Sequence, residues 1–185
     1  CWGYNSNGQI GDGSTSTRTS PVWVSGITDA VSVSVGAEHT CALLSGGSVK
    51  CWGYNQYGQL GNGGSGSAAS QSGYNVNGQV GDGSTSTRTT PVAVSSLSSV
   101  ASVSAGDGYA CALLTGGGLR CWGYNGDGRL GDGTTTNRSV PVAVTGITDA
   151  VAVAAGGSQT LAVRSDYSVW GWGSNADGKL ADPYI

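Results

Sequence analysis

A repeat constrains this chain more than any other feature. The segment TCALLSGGSVKCWGYN, Thr40 to Asn55, returns as ACALLTGGGLRCWGYN from Ala110 to Asn125 and, degraded, as TLAVRSDYSVWGWGSN from Thr160 to Asn175. The tail of a further copy, CWGYN, opens the chain at Cys1 to Asn5. Each copy reads as a β-hairpin: a short apolar strand, a Gly-containing turn, and a second strand ending in Trp-Gly. Aligned on that pair, Gly3, Gly53, Gly123 and Gly173 fall in register at steps of 50, 70 and 50 residues. The longer step holds a second head, GYNVNGQVGDG, starting at Gly73. A fixed period of this size marks a repeat architecture and governs how every other segment is read.

In the first copy the head CWGYNSNGQIGDG leads through the polar loop STSTRTS to PVWV at Pro21 to Val24. A turn at Ser25-Gly26, a strand over Ala30 to Val35 and the hairpin complete the period. Val31, Val33 and Val35 alternate with Ser32 and Ser34, the period-2 pattern of a strand with one buried face. No segment shows helical periodicity. Although Gly is 34 of 185 residues, a hydrophobic fraction of 38% in short alternating runs points to a packed all-β chain rather than disorder. Each period supplies roughly four short strands, and a sheet of that size cannot bury both faces alone. The repeats must therefore stack, radially as propeller blades or linearly as a solenoid. Trp2, Trp52, Trp122 and Trp172 recur once per head, as expected of a large side chain filling the space between neighbouring sheets.

Residues 1–185 read as a single array with heads at 1–13, 51–61, 73–83, 121–133 and 171–182. An irregular Gly/Ser-rich insertion occupies 62–72. Residues 5–24 and 75–94 agree at 16 of 20 positions, so a lost repeat body competes with a flexible loop as its origin. The chain opens within a repeat and holds no Met, which points to a piece of something longer. Its net charge of −3 and lack of a basic patch argue against nucleic-acid binding. No apolar run approaches the roughly 18 residues of a membrane-spanning helix, so membrane insertion is not expected.

The pattern G-x-x-H-T-x-A-L followed by W-G-x-N-x-x-G-Q-[IL]-G, present as GAEHTCALL at Gly36 to Leu44 and WGYNQYGQLG at Trp52 to Gly61, resembles that of RCC1-type (regulator of chromosome condensation) repeats. The long GDGSTSTRTSPVWV loop is similar to the bacterial, often secreted, branch of that family. The resemblance implies a β-propeller, commonly seven-bladed, of which this chain holds about three and a half blades of about 50 residues. The family-like His occurs once, at His39, and gives way to Tyr109 and Gln159 in the other copies.

Five cysteines occupy two repeat positions. Across a three-residue loop, Ser45-Gly46-Gly47, Cys41 falls opposite Cys51 with both side chains on one face, and Cys111 falls likewise opposite Cys121. Opposed residues of a non-hydrogen-bonded antiparallel pair lie about 4.5 Å apart, within disulfide range. The third copy loses both cysteines together, to Leu161 and Gly171, as a bond predicts. Two hairpin disulfides with Cys1 unpaired or bonded outside this segment imply an extracellular or cell-surface setting. Zinc is the alternative, but a C-x9-C spacing without supporting His is not a recognised ligand set.

No catalytic constellation emerges. His39, the sole His, stands beside Glu38, the sole Glu, and no nucleophile elbow accompanies it. The Asn- and Asp-rich heads, such as NGDGRLGDG from Asn125, resemble a calcium loop but lack its first carboxylate and closing Glu. They read instead as turn chemistry. Arg18, Arg88 and Arg138 recur near Asp12, Asp82 and Asp132, as pairs that pin the polar loop would. Asn137-Arg138-Ser139 is a possible N-glycosylation sequon. Neither enzymatic activity nor any metal or cofactor is expected. Partner contacts are sought where the copies differ: at Trp23, Tyr57, Glu38, His39 and Tyr109. The reading is a non-enzymatic extracellular structural or recognition module in adhesion or surface assembly, engaging a protein partner or its own copies. The resemblance adds an alternative, a propeller that binds and inhibits or regulates a partner through its rim loops. Nucleotide exchange on a small GTPase also occurs in the family but is disfavoured, because disulfides imply the wrong compartment.

Overall fold

The computed structural model describes residues 1–57, 59–60, 88–176, 178 and 180, so the second head at 73–83 and the insertion at 62–72 lie outside the described residues. Within them the chain is all-β. The first sheet runs β1 (Ala30–Val35), β2 (His39–Leu44), β3 (Val49–Gly53) and β4 (Arg88–Ala93), and the second β5 (Val100–Ala105), β6 (Tyr109–Leu114), β7 (Leu119–Gly123) and β8 (Arg138–Ala143). The third contains β9 (Ala150–Ala155), β10 (Gln159–Arg164) and β11 (Val169–Gly173). Strands adjacent in sequence pair antiparallel, so each sheet is a meander, the form of a propeller blade. At the N-terminus Gly3 bridges Arg18, the same contact that Gly53 makes with Arg88 and Gly123 with Arg138. Residues 1–24 thus form the outer part of a further blade.

Each central hairpin closes on a three-residue loop. In the first sheet the Leu44 N–H donates to Ser48 O at 2.9 Å, and the Gly47 N–H donates to Leu44 O at 2.9 Å. Gly47 and Gly117 adopt φ of +74° and +82° there, and Tyr167 holds the same left-handed position at +67°. This loop puts Cys41 opposite Cys51 and Cys111 opposite Cys121, each pair disulfide-bonded with Cα atoms 4.1 Å apart. All four cysteines are fully buried, and each bridge lies on the face its sheet turns to the next one. In the third sheet Leu161 pairs with Gly171 instead, and the Leu side chain spreads into the space a Cβ on Gly171 would fill.

Sheets dock through repeated devices. The indole of Trp52 donates to Gln9 O at 2.9 Å, that of Trp122 to Gln59 O at 2.9 Å, and that of Trp172 to Arg129 O at 2.9 Å. Each ring lies across the preceding head, where a Cβ on Gly11 or Gly131 would come within 2.6 or 2.7 Å of the Trp52 or Trp172 indole nitrogen. Ser34 Oγ accepts from the Ala105 N–H, and Ser104 Oγ accepts from the Ala155 N–H, each at 2.9 Å, stitching the inner strands.

Two expectations need correction. A register shift between Ala30 and Ser32 takes Val31 out of the strict alternation. The valine face of β1 is exposed, Val33 at 53% and Val35 at 68%, whereas the equivalent Val103 is 8% exposed. Val103 packs on the sheet before it, and among the described residues no earlier inner strand covers β1. Trp2 is exposed at 66%, with no preceding head lying against it among the described residues, while Trp52 and Trp122 are buried as the repeat predicts.

Candidate recognition site at a blade-to-blade rim

Most positions shared by the copies are spent on holding the repeat together. Asn5 donates from its side-chain amide to Ser14 O at 3.0 Å and Ser16 O at 3.1 Å, and its Oδ1 accepts from the Ile10 N–H at 2.9 Å. Asn125 repeats the pattern with Thr134, Thr136 and Leu130. Arg18 pairs with Asp12 at 2.7 Å and Arg138 with Asp132 at 2.7 Å. Bonds from Ser14 and then Arg18 bring the Asp12 carboxyl down to about 2. These Asn and Asp oxygens therefore serve the backbone of their own loop. Among the described residues no cluster of three His, Cys, Asp or Glu side chains could hold a metal ion. The expected pairing of Arg88 with Asp82 falls on a residue outside the described residues. At the sequon, Asn137 Oδ1 accepts from the Asn125 N–H at 2.8 Å, so this half-buried side chain also braces a head.

The residues that differ between copies are placed unevenly. Trp23 is 92% exposed and lines a groove with Cys1, Pro21, Val22, Val24 and Ile27. Cys1 is a free, exposed thiol. His39 and Tyr109 are fully buried, which corrects their reading as partner contacts: the first residue of β2 and of β6 turns inward between sheets. Burial lowers the His39 imidazole to about 4, and neither ring nitrogen has a hydrogen-bond partner among the described residues. The longer Tyr109 reaches the next sheet, where its hydroxyl accepts from the Gly156 N–H at 3.0 Å and from Thr160 Oγ1 at 2.9 Å.

Glu38 and Tyr57 do come together. They line a hollow of about 500 Å³ on the rim between the first two sheets, with Ala37, Tyr54, Asp107, Gly108, Tyr124 and Arg129. The turns before β2 and β6 supply Glu38 and Asp107; the two heads supply the tyrosines and Arg129. Tyr57 stacks tilted against Tyr124 at 4.8 Å and edge-on to Tyr54 at 6.2 Å. Burial, then the neighbouring Tyr57 and Glu38, push the Tyr54 phenol up to about 12, so it stays neutral. Arg129 is 5% exposed, ion-paired with Asp127, and its guanidinium lies 4.6 Å over the Tyr124 ring. It also donates to Asp107 O at 3.1 Å and Gly157 O at 2.7 Å, fixing two adjacent turns. Sequence reasoning missed Tyr54 and Tyr124 because they repeat and so look structural. It missed Asp107 and Arg129 because their proximity depends on blade stacking. Aligning Arg129 with Gln9 and Gln59 was the available signal.

The comparisons with known proteins fit this architecture. The sequence matches regulator of chromosome condensation (RCC1) repeats over residues 1–43, 72–113 and 117–163, and a second form of that repeat over 30–59 and 100–129. No curated protein matches it. Among solved structures it is similar to yeast RCC1 (Prp20) bound to Kap60, at 22% identity and a TM-score of 0.72, covering 94% of this chain and 39% of that one. Human WBSCR16 follows at 22% identity and 0.69, covering 91% and 40%. Prp20p from Saccharomyces cerevisiae, in a structure described with its binding to Gsp1p and histones, gives 20% identity and 0.65, covering 97% and 40%. The chain thus spans about two fifths of the length of these propellers. With RCC1 repeats matched over more than half of its residues and assembled as propeller blades, the chain belongs to the regulator of chromosome condensation (RCC1) repeat family.

Proposed function

We propose that the chain is a non-enzymatic recognition module, acting outside the cell or on its surface in adhesion or assembly, and that the rim hollow is its contact site for a protein partner. One observation carries this reading. Three residues particular to one copy, Tyr57, Glu38 and Asp107, converge on the same hollow, although they come from different repeats. Their counterparts are Asn7 and Asp127, Gly108 and Ser158, and Ala37 and Gly157. Drift at unrelated surface positions gives no reason for them to meet. Unshared aromatic side chains on a rigid rim are the kind of residue that anchors a protein interface. Two buried disulfides support the extracellular setting. That the yeast relative is described bound to Kap60 supports a protein partner in general terms. The experiment is sedimentation of the purified chain under non-reducing conditions, followed by capture of surface and extracellular proteins on the immobilised chain. Concentration-dependent association, or specific retention of a surface component, is expected. A soluble monomer that retains one soluble protein would favour a propeller that inhibits or regulates its partner. A monomer that retains nothing would overturn the reading.

A further inference from the structure

The rim hollow has a chemistry of its own. Its walls include three phenol rings, with Tyr57 edge-on to Tyr54 on one side and tilted against Tyr124 on the other. Its exposed lip carries Glu38 and Asp107, whose carboxylates make no hydrogen bond or ion pair among the described residues. Arg129 is the cation of the wall, and Asp127 already neutralises it. Three carboxylates against one guanidinium leave the hollow and its edge net negative. The rings themselves present electron-rich faces, and one is already in use: the Arg129 guanidinium lies 4.6 Å over Tyr124 and 5.6 Å over Tyr109. A cluster of phenol rings beside these carboxylates is the setting in which a cation gains from ring faces and charge together. An anion would meet repulsion at the lip, and a purely apolar group would leave both carboxylates facing it.

From this we propose that the hollow binds a guanidinium, the arginine side chain of a protein partner, stacked among Tyr54, Tyr57 and Tyr124 and paired with Glu38 and Asp107. A planar guanidinium suits this site better than an ammonium, because it stacks on a ring while its edge donates to a carboxylate. The inference deepens the recognition reading and rests on the same hollow.

The test uses acetyl-Gly-Arg-Gly-amide as probe, titrated into isotope-labelled chain and followed by amide shifts at Gly108 and Tyr57. Saturable shifts confined to the hollow are expected, with the citrulline analogue giving none. Tyr57→Ala should weaken binding by about two- to fivefold, the size of an exposed cation–π contact. Glu38→Gln with Asp107→Asn, which breaks no side-chain bond among the described residues, should weaken it further. Equal binding of the citrulline peptide, or unchanged binding in both variants, would overturn the proposal. So would saturable binding of methyl glucoside in place of the peptide, which would make this a sugar site. A protein partner lost from Tyr57→Ala while the arginine peptide fails to bind would sink the guanidinium assignment and leave the recognition reading standing.

Discussion

The two interfaces that join the three sheets are built from the same repeat and hold together by different means. Between the first and second sheets, the repeat position at the start of β2 is His39, and it faces the following sheet with both nitrogens unpartnered among the described residues. Between the second and third, the same position is Tyr109, whose hydroxyl joins Gly156 and Thr160. The partner changes with it, since Ala110 stands where Thr160 does. The head shows the same divergence. Gln59 folds back so that its Oε1 accepts from the Tyr57 N–H at 2.9 Å, whereas Arg129 extends to bind two turns and to cover rings. Repeated spacing sets where the sheets meet, and a few copy-specific side chains decide whether the residue opening β2 or β6 adds a hydrogen bond to its seam. The first seam opens at its rim into the tyrosine-lined hollow.

The largest effect should come from the device both seams share. Trp122→Ala removes a fully buried ring and its bond to Gln59 O, and should cost about 3–5 kcal/mol in denaturant unfolding. Trp2→Ala removes an exposed ring and should stay within about 0.5 kcal/mol. Equal losses would break the account of inter-blade packing.

The seams should next separate by pH. The His39 imidazole titrates near 6.5 when unfolded and about 4 when folded, because burial disfavours its cation. The unfolded chain therefore takes the proton first on acidification. The stability present above pH 6.5 falls between pH 6.5 and 4, by about 3 kcal/mol at most, and levels off below. Asp12, lowered to about 2, loses its contribution only at still lower pH. His39→Phe should abolish the decline across that window, and a decline that persists would place its origin elsewhere.

The hydrogen-bonded seam should respond to loss of a hydroxyl. Tyr109→Phe removes a hydroxyl that accepts from Gly156 and Thr160 and donates to Gln159 O, and should cost about 0.5–1.5 kcal/mol, because the Thr160 hydroxyl keeps Arg129 O and the Gly156 N–H keeps Gln159 O. A change near zero would mean that the seam rests on ring packing alone. Smallest of all, Tyr57→Ala should shift stability by no more than about 0.5 kcal/mol, because the ring is half-buried at a rim.

How far the sequence spoke follows from the range of each signal. The hairpins, the Cys41–Cys51 and Cys111–Cys121 bridges and the recurrent Trp were legible because strand register and a short loop determine them within about ten residues. The exposed face of β1 was not, since alternation says that a face is apolar but not what covers it. His39 and Tyr109 looked like surface variation because they adjoin a variable turn, yet they begin a strand and point inward. Glu38 and Tyr57 stood out in the sequence because they are unshared. Their meeting with Asp107 and Tyr124 required the stacking of two repeats, a contact that no local pattern encodes.

The central claim is that shared residues build the array and copy-specific residues at one rim recognise a partner. The direct measurement exchanges Tyr57→Asn, Glu38→Ser and Asp107→Ala, the residues found at equivalent positions in other copies, and follows thermal midpoint and partner retention on the same sample. An unchanged midpoint with retention lost is the predicted result. Retention undiminished at an unchanged midpoint would contradict the claim and move recognition away from the rim hollow.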